Sequence, residues 1–266
     1  MRFLSPIFFT DKMDALQNSS TSKDEMPVIE INNLYKSFGA LNVLNGFNLK
    51  LFKGENLVLM GKSGSGKSVM IKCLVGLMEP DSGSIEILGK KIGKLSRKEM
   101  DELRSEIGFL FQGSALYDSM PVRENLEFPM RRHKNKVAME NADSLVLEAL
   151  ESVGLSKAID QMPEELSGGM QRRVALARAL ILKPKIIIYD EPTTGLDPIT
   201  SKEIILLMEN IQKKYKTSSL IITHDVDCAR VVSNRIILLL NGVNYVEGTF
   251  EDLATSTDPK VQAFFK

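Results

Sequence analysis

Residues 57–68 read LVLMGKSGSGKS, and the rest of this 266-residue chain is arranged around them. The first half of the segment is apolar, which predicts a buried strand. The second half matches G-x-x-x-x-G-K-[ST], and residues 69–75 continue as a predicted helix. A strand, a glycine loop and a helix in this order are the context in which that pattern binds phosphate. The alternative is a Gly/Ser-rich turn that matches by chance, and the flanking strand and helix argue against it.

The glycine loop predicts a binding site for ATP with Mg²⁺. Glycines let several backbone N–H groups point into one cavity, and the N-terminus of the following helix adds the positive end of its dipole. Lys67 can reach the β- and γ-phosphates, and the hydroxyl of Ser68 can ligate Mg²⁺. The predicted nucleotide-binding residues of this loop are Gly61, Lys62, Ser63, Gly64, Ser65, Gly66, Lys67, Ser68 and Val69.

A second segment, residues 185–191, ends an apolar run in two acids, Asp190 and Glu191. Asp190 is placed to hold Mg²⁺, and Glu191 is placed to polarise an attacking water as a general base. The alternative is a pair of acids in a solvated turn. A carboxylate buried at a strand end without a cation is costly, and a bound metal ion would supply that cation.

Two more polar residues, Gln112 and His224, each end an apolar strand. Ligand groups gather at the carboxyl ends of strands in doubly wound sheets, so we expect both to converge with Lys67, Asp190 and Glu191 on one crevice. A lone histidine is more often a packed or surface residue, but a strand end favours the functional interpretation. The predicted catalytic residues are therefore Glu191, His224 and Gln112.

Ser167, Gly168 and Gly169 precede another predicted helix and offer a second anion site. Taken alone, this pattern is an N-cap. One ATP molecule carries one γ-phosphate, which the first loop already holds. Two such sites in one chain therefore suggest that two chains meet head to tail, each covering the nucleotide of the other.

Composition narrows the function further. Lys plus Arg and Asp plus Glu number 34 each, so no excess of positive charge indicates nucleic-acid binding. Cys73 and Cys228 lie in apolar surroundings and are predicted to be small buried residues without a disulfide, which fits a reducing cytoplasm. No apolar run approaches the ~18 residues that a membrane-spanning helix needs.

The order of the elements predicts an α/β fold with a mostly parallel sheet, a small antiparallel β-subdomain and an inserted helical subdomain. We expect a disordered tail over residues 1–26 and a nucleotide-binding domain over 27–250. The helical subdomain covers about 113–180, and residues 251–266 form a C-terminal extension.

Taken together, these motifs resemble those of the ATP-binding-cassette (ABC) ATPases over nearly all of residues 28–250. The signature segment here is LSGGMQ at 166–171, with Met170 where many members have glutamine. The resemblance implies a P-loop NTPase fold of the ABC type. It assigns Gln112 to the Q-loop as a Mg²⁺ ligand, Asp190 and Glu191 to the Walker B end, and His224 to the switch histidine. It also implies nucleotide contacts from Asp197 in the D-loop and from Phe38, the aromatic residue that stacks on adenine.

A narrower resemblance connects residues 111–120, 189–201 and 258–265 with the Mla/Mce-type lipid transporters. It implies a homodimeric motor for phospholipid transport between the two membranes of a diderm bacterium. The partners would be an integral membrane permease and an Mce-domain lipid-binding protein, and the location the cytoplasmic face of the inner membrane. Phe264 and Phe265 would then contact a neighbouring subunit, with a frayed terminal helix as the alternative.

Two other functions stay open. One is a cassette that imports or exports another cargo, such as amino acids or metals, since only the narrower motifs separate these classes. The other is a soluble ABC ATPase that acts on DNA or ribosomes. The single glycine loop, the lack of a long coiled coil and the neutral charge argue against it. Cargo and transport direction depend on partner subunits, and the sequence of the motor does not specify them.

Overall fold

The computed structural model describes residues 26–133 and 139–265, in which strands and helices alternate. The strands are β1 (Ile29–Phe38), β2 (Leu41–Leu51), β3 (Asn56–Met60), β4 (Ser82–Ile87), β5 (Lys90–Lys91), β6 (Ile107–Leu110), β7 (Ile186–Asp190), β8 (Ser218–Thr223), β9 (Arg235–Leu240) and β10 (Val243–Gly248). The helices are α1 (Lys67–Leu74), α2 (Arg97–Ser105), α3 (Val122–Arg132), α4 (Ala142–Ser152), α5 (Gly168–Leu180), α6 (Pro198–Tyr215), α7 (Val226–Val232), α8 (Phe250–Ala254) and α9 (Pro259–Phe265). The sequence pattern also predicts a helix over residues 136–153. Part of that helix, and the predicted tail apart from residue 26, lie outside the described residues.

The larger sheet has six strands in the order β10-β9-β3-β8-β7-β6. All neighbours from β9 to β6 are parallel, and β10 pairs antiparallel with β9 at the edge. Every residue of β3 and β8 is buried, as expected for parallel strands that are covered on both faces. The predicted mostly parallel sheet is thus confirmed.

The smaller sheet has the order β2-β1-β4-β5 and is antiparallel throughout. It packs on one face of the larger sheet. Because alternate residues of a strand point to opposite faces, the two faces of β3 contribute to different cores. Leu57 and Leu59 of β3 join a core with the small sheet and α1, whereas Val58 and Met60 join a core with the helices. The parallel sheet is therefore the middle layer of the molecule.

The apolar pattern of the sequence predicts helices over about residues 170–182 and over residues 201–214, and both helices begin earlier in the chain. Helix α6 begins at Pro198, and not at residue 201, because the side chain of Asp197 caps it. Helix α5 begins at Gly168, and not at residue 170, because Ser167 caps it. The spacing of Ser96 and Glu99 predicts a capping box at the start of a helix over residues 96–104. Helix α2 begins there, and the capping box between these two residues is present.

Between β6 and β7 the described regular elements are all helical, namely α3, α4, α5 and two short 3₁₀ turns. This agrees with the helices expected over about 113–180, whose status as a separate unit stays a prediction. Cys73 and Cys228 are buried and unbridged, as predicted. Across residues 26–133 and 139–265, no helix combines the length and apolar character needed to cross a bilayer.

The C-terminal helix α9 folds back on its own chain. The rings of Phe250 and Phe265 meet edge to face at 5.5 Å, and the ammonium of Lys62 lies 5.8 Å from the ring of Phe264. Both C-terminal phenylalanines pack against the helical core. Their contact with a neighbouring subunit stays a prediction.

Candidate functional site

The strand order brings the predicted site together. The glycine loop follows β3, His224 follows β8, and Asp190 closes β7, and these three strands are neighbours in the sheet. Because they are parallel, their carboxyl ends lie at one edge. Gln112 follows β6, one strand further out.

The glycine loop curls around its own lysine. The ammonium of Lys67 donates to the carbonyl of Gly61 at 2.6 Å and to that of Lys62 at 3.1 Å. The hydroxyl of Ser65 is buried without a hydrogen-bond partner among the described residues. Such an orphaned polar atom inside a phosphate loop fits a site that gains partners when an anion binds.

Lys67 and the acid pair lie close enough to interact electrostatically. Burial lowers the pKa of Lys67, and the charges of Glu191 and Asp190 act in the opposite direction. Burial also raises the pKa of Asp190, and the adjacent charge of Glu191 raises it further, against a smaller effect of Lys67. Additional positive charge at this point would therefore stabilise the ionised Asp190.

Glu191 is held by hydrogen bonds of both its backbone and its side chain. Its backbone has a φ of +50°, and its N–H donates to the carbonyl of Ile222 at 2.8 Å. One carboxylate oxygen, Oε2, accepts hydrogen bonds from Thr194 Oγ1 at 3.2 Å and from His224 Nδ1 at 2.8 Å. Opposite an ionised carboxylate, which can only accept, Nδ1 of His224 would be the donor of this hydrogen bond. The side chain of Glu191 is 11% exposed and that of His224 64%, so the histidine remains accessible to a ligand.

A second set of contacts joins the loops after β7 and β8. Thr193 Oγ1 donates to Asp225 Oδ2 at 2.8 Å, and the backbone N–H of Asp225 donates to Thr223 Oγ1 at 3.0 Å. Thr193, Thr194 and Asp225 are not among the site residues predicted from the sequence. The available signal was a pair of threonines that follows the acid pair after one proline, and an acid directly after the histidine.

Two predicted residues lie at the surface. Gln112 is exposed in the loop after β6, and no hydrogen bond in the described part of the chain joins it to Lys67, Asp190 or Glu191. Phe38 is exposed at the end of β1, where the ammonium of Lys36 lies 5.7 Å from its ring. Their roles toward nucleotide stay predictions.

Ser167 and Asp197 each cap a helix. Ser167 Oγ accepts from the backbone N–H of Met170 at 3.2 Å, and Asp197 Oδ1 accepts from the N–H groups of Ile199 and Thr200 at 3.0 Å. The hydroxyl of Thr200 bonds Asp197 and lowers the pKa of that carboxyl.

The two caps also adjoin each other. A Cβ placed on Gly169 would lie 2.5 Å from Cγ2 of Thr200, so the signature segment and the start of α6 touch. Within one chain, Ser167 acts as the N-cap of α5, which is the alternative to a second anion site. Contacts from Ser167, Gly168, Gly169 and Asp197 to a nucleotide stay predictions.

The donor set fits Mg²⁺ held together with a phosphate. The hydroxyl of Ser68 and the carboxylate of Asp190 are hard oxygen donors, which Mg²⁺ prefers. Across residues 26–133 and 139–265, no three His, Cys, Asp or Glu side chains converge as an all-protein cage. One carboxylate plus substrate phosphates is the usual way in which proteins hold this ion.

Comparison with known proteins gives consistent results. Residues 44–194 match a family model described as ABC transporter. Among similar proteins, "Probable ribonucleotide transport ATP-binding protein mkl" of Mycobacterium tuberculosis is 42% identical over 236 residues, covering 89% of this chain and 66% of the relative. "Intermembrane phospholipid transport system ATP-binding protein MlaF" of Haemophilus influenzae is 38% identical, with 90% of each chain covered. "Methionine import ATP-binding protein MetN" of Clostridium tetani is 37% identical, covering 80% of this chain and 66% of the relative.

Solved structures with the same architecture include the ATP-binding cassette MJ0796, determined as a dimer in a post-hydrolysis state with ADP and Pi. Its TM-score is 0.71 at 32% identity, with 84% of this chain and 98% of that chain covered. The cbiO1 protein from Clostridium perfringens, described as part of the ABC transporter complex cbiONQ, has a TM-score of 0.77 at 29% identity. Its match covers 86% of this chain and 91% of the cbiO1 chain.

Proposed function

The chain belongs to the ABC transporter family and carries its ATPase cassette, and on this premise we propose that it is the motor subunit of a membrane transporter. The P-loop NTPase fold of the ABC type, expected from the sequence, is confirmed. One observation carries the proposal. Glu191 is buried and held by Thr194 and His224, next to the phosphate-loop lysine and the acid at the end of β7.

Binding of ATP rests on the glycine loop. The backbone N–H groups of residues 61–68 and the ammonium of Lys67 bind the phosphates, and Phe38 stacks on the adenine. Ser68, Asp190 and Gln112 are the residues that would hold Mg²⁺. When bound, Mg²⁺ neutralises the charge on the β- and γ-phosphate oxygens.

Hydrolysis rests on Glu191. A general base must lie within about 2.6–3.2 Å of the proton that it accepts. Thr194 and His224 fix the orientation of Oε2, so that the other carboxylate oxygen can accept a proton from the attacking water. Nδ1 of His224 is occupied by Glu191, which leaves Nε2 for a second partner at the nucleotide.

We propose that the working unit is a homodimer, in which Ser167, Gly168 and Gly169 of each chain cover the nucleotide of the other. No hydrogen bond in the described part of the chain connects these residues to the glycine loop of the same chain. The dimeric state of MJ0796 supports this arrangement.

The permease would dock beside the Gln112 loop. A cavity of about 580 Å³ lies there, lined by Phe109, Phe111, Tyr117 and Phe128 together with three basic residues, Arg104, His133 and Arg178. An apolar segment of the permease suits this lining. The proposed location is accordingly the cytoplasmic face of the inner membrane.

Phospholipid is the proposed cargo, and an Mce-domain lipid-binding protein is the proposed further partner. Support comes from the motifs at 111–120, 189–201 and 258–265 and from the similarity to MlaF. The name of mkl refers to ribonucleotide transport and that of MetN to methionine import, so the cargo has to be tested on the complex.

The ATPase role is tested with Glu191→Gln. The amide keeps the shape of the side chain but cannot act as a base, so we expect ATP binding to persist and turnover to fall by about 10²–10⁴-fold. We also expect the ATP-bound dimer to accumulate in size-exclusion chromatography. Turnover at the rate of the unaltered protein would exclude Glu191 as the base.

The partners are tested by a tagged pull-down from detergent-solubilised membranes, followed by mass spectrometry. A permease together with an Mce-domain protein supports lipid transport. A permease with a periplasmic solute-binding protein keeps the motor and replaces the cargo. Ribosomes or DNA without any membrane protein would contradict the transporter function.

A further inference from the structure

Arg172, on α5, connects two loops of the site through its buried side chain. The residue is 4% exposed. Its Nη1 donates to the carbonyl of Phe111 at 2.7 Å, and its Nη2 donates to the carbonyl of Thr194 at 3.2 Å. Phe111 directly precedes Gln112, and the hydroxyl of Thr194 donates to Glu191. One guanidinium therefore joins the signature helix to the loops that carry the predicted glutamine and the base.

Fold stability alone does not account for an arginine at this point. No carboxylate within residues 26–133 and 139–265 forms an ion pair with Arg172, and its Nε–H is buried without a partner. Burial accordingly lowers the pKa of the guanidinium. A buried cation with an unpaired donor is commonly less favourable than an apolar side chain of similar volume.

A second arginine on α5, Arg178, serves as a comparison, because of the two loops it bonds only the one after β6. Arg178 donates to the carbonyls of Ser114 at 2.9 Å and Ala115 at 2.7 Å, both at positive φ. Arg178 also donates to Oδ1 of Asn125 on α3 at 3.5 Å, and none of its hydrogen bonds among the described residues reaches the turn that follows Glu191. Of these two arginines, only Arg172 also bonds the turn that follows Glu191.

We propose that Arg172 is a positioning residue for ATP hydrolysis, which acts through Thr194 on the carboxylate of Glu191 and couples it to the loop of Gln112. This inference rests on the proposed ATPase function. If the guanidinium is removed, the Thr194 carbonyl loses its partner and the turn after Glu191 can shift. The phosphate contacts of residues 61–68 do not involve Arg172, so affinity for ATP should be preserved.

The test compares Arg172→Met and Arg172→Lys with Arg173→Met. Arg173 is the next residue of the helix, and it bonds Glu203 and the carbonyl of Val153, away from both loops. We expect Arg172→Met to lower kcat by about ten- to hundredfold, as small misplacements of catalytic groups do, with KM for ATP within about twofold. Arg172→Lys keeps the charge but not the two-pronged geometry, so its kcat should lie between those of Arg172→Met and the protein without substitutions. Arg173→Met should leave both constants within about twofold.

Amide hydrogen exchange of the nucleotide-free proteins supplies a readout that does not require turnover. Arg172→Met should speed exchange in residues 112–115 and in residues 192–196, and Arg173→Met in neither. An unaltered kcat, a KM that rises in proportion to the loss, or unaltered exchange in both segments would overturn the proposal. If Arg172→Met does not fold, the same comparisons decide with Arg172→Lys. If the protein without any substitution hydrolyses no ATP, the proposed ATPase function is wrong. The exchange data would still show whether Arg172 joins the two loops.

Discussion

The glycine loop offers a prediction whose size follows from the geometry of Gly66. This residue has a φ of +106° and immediately precedes α1. A Cβ at this position would lie 3.0 Å from the carbonyl oxygen of Val43 and 3.1 Å from Cδ2 of Leu44. Gly66→Ala therefore introduces both a strained backbone and a crowded contact with β2.

The magnitude has two parts. A non-glycine residue at such a φ costs about 1–3 kcal/mol, and the crowding adds about 1 kcal/mol. Gly64 has a φ of +78° and open space around its Cβ position, so Gly64→Ala should lose only about 1–2 kcal/mol. Gly93 has neither feature, and Gly93→Ala should stabilise the protein by about 0.4–1 kcal/mol.

Thermal unfolding of the nucleotide-free protein measures this series. Each kcal/mol corresponds to roughly 2–4 °C for a chain of this size. We expect Tm to fall by about 5–15 °C in Gly66→Ala, to fall by about 2–8 °C in Gly64→Ala and to rise slightly in Gly93→Ala. The stabilisation by ATP with Mg²⁺ should also shrink in Gly66→Ala, because the loop can no longer present its N–H groups unchanged.

Two outcomes would refute this reasoning. A Tm of Gly66→Ala equal to that of Gly93→Ala would mean that the loop relaxes without strain. Equal losses in Gly64→Ala and Gly66→Ala would mean that contact with β2 contributes nothing and that backbone strain alone sets the effect.

Three further predictions concern charge. The hydrogen bond from Lys36, with others from Ser37, lowers the pKa of Asp81 to about 2, so its contribution to stability is present above the unfolded-state pKa and lost as pH falls toward 2. Asp81→Asn should therefore unfold at lower temperature than the unaltered protein at pH 7 but not near pH 2; equal Tm values at pH 7 would contradict this. Because burial and Glu191 raise the pKa of Asp190, ionisation of Asp190 opposes folding as pH rises through that pKa, so Asp190→Asn should raise the nucleotide-free Tm at pH 7 while weakening the Mg²⁺ dependence of ATP binding. A Tm of Asp190→Asn below that of the protein without substitutions would contradict this reasoning. Lys67→Ala should weaken ATP binding by about ten- to hundredfold in calorimetry, which corresponds to the loss of a charge-assisted hydrogen bond. An unchanged affinity would contradict binding of the phosphates by Lys67.

Local patterns accounted for much of what the sequence analysis predicted. The capping box of Ser96 and Glu99 spans four residues, so its geometry follows from the sequence spacing alone. The glycine loop was predicted for the same reason, since strand, loop and helix are contiguous. The starts of α5 and α6 were placed too late, because the apolar pattern begins after the capping residues Ser167 and Asp197.

Contacts between distant segments required the tertiary structure. The alternation of strands and helices predicted a parallel sheet but did not specify its strand order. The order β3-β8-β7 places His224 next to Glu191. Arg172 lies 61 residues from Phe111 and 22 from Thr194, and its bonds go to carbonyl groups that every residue possesses. No side-chain pattern encodes such partners. Candidate residues for binding phosphate and Mg²⁺ could therefore be named from the sequence, and their roles stay predictions. The contacts that orient Glu191, in contrast, depend on how the strands are ordered and how α5 packs against their ends.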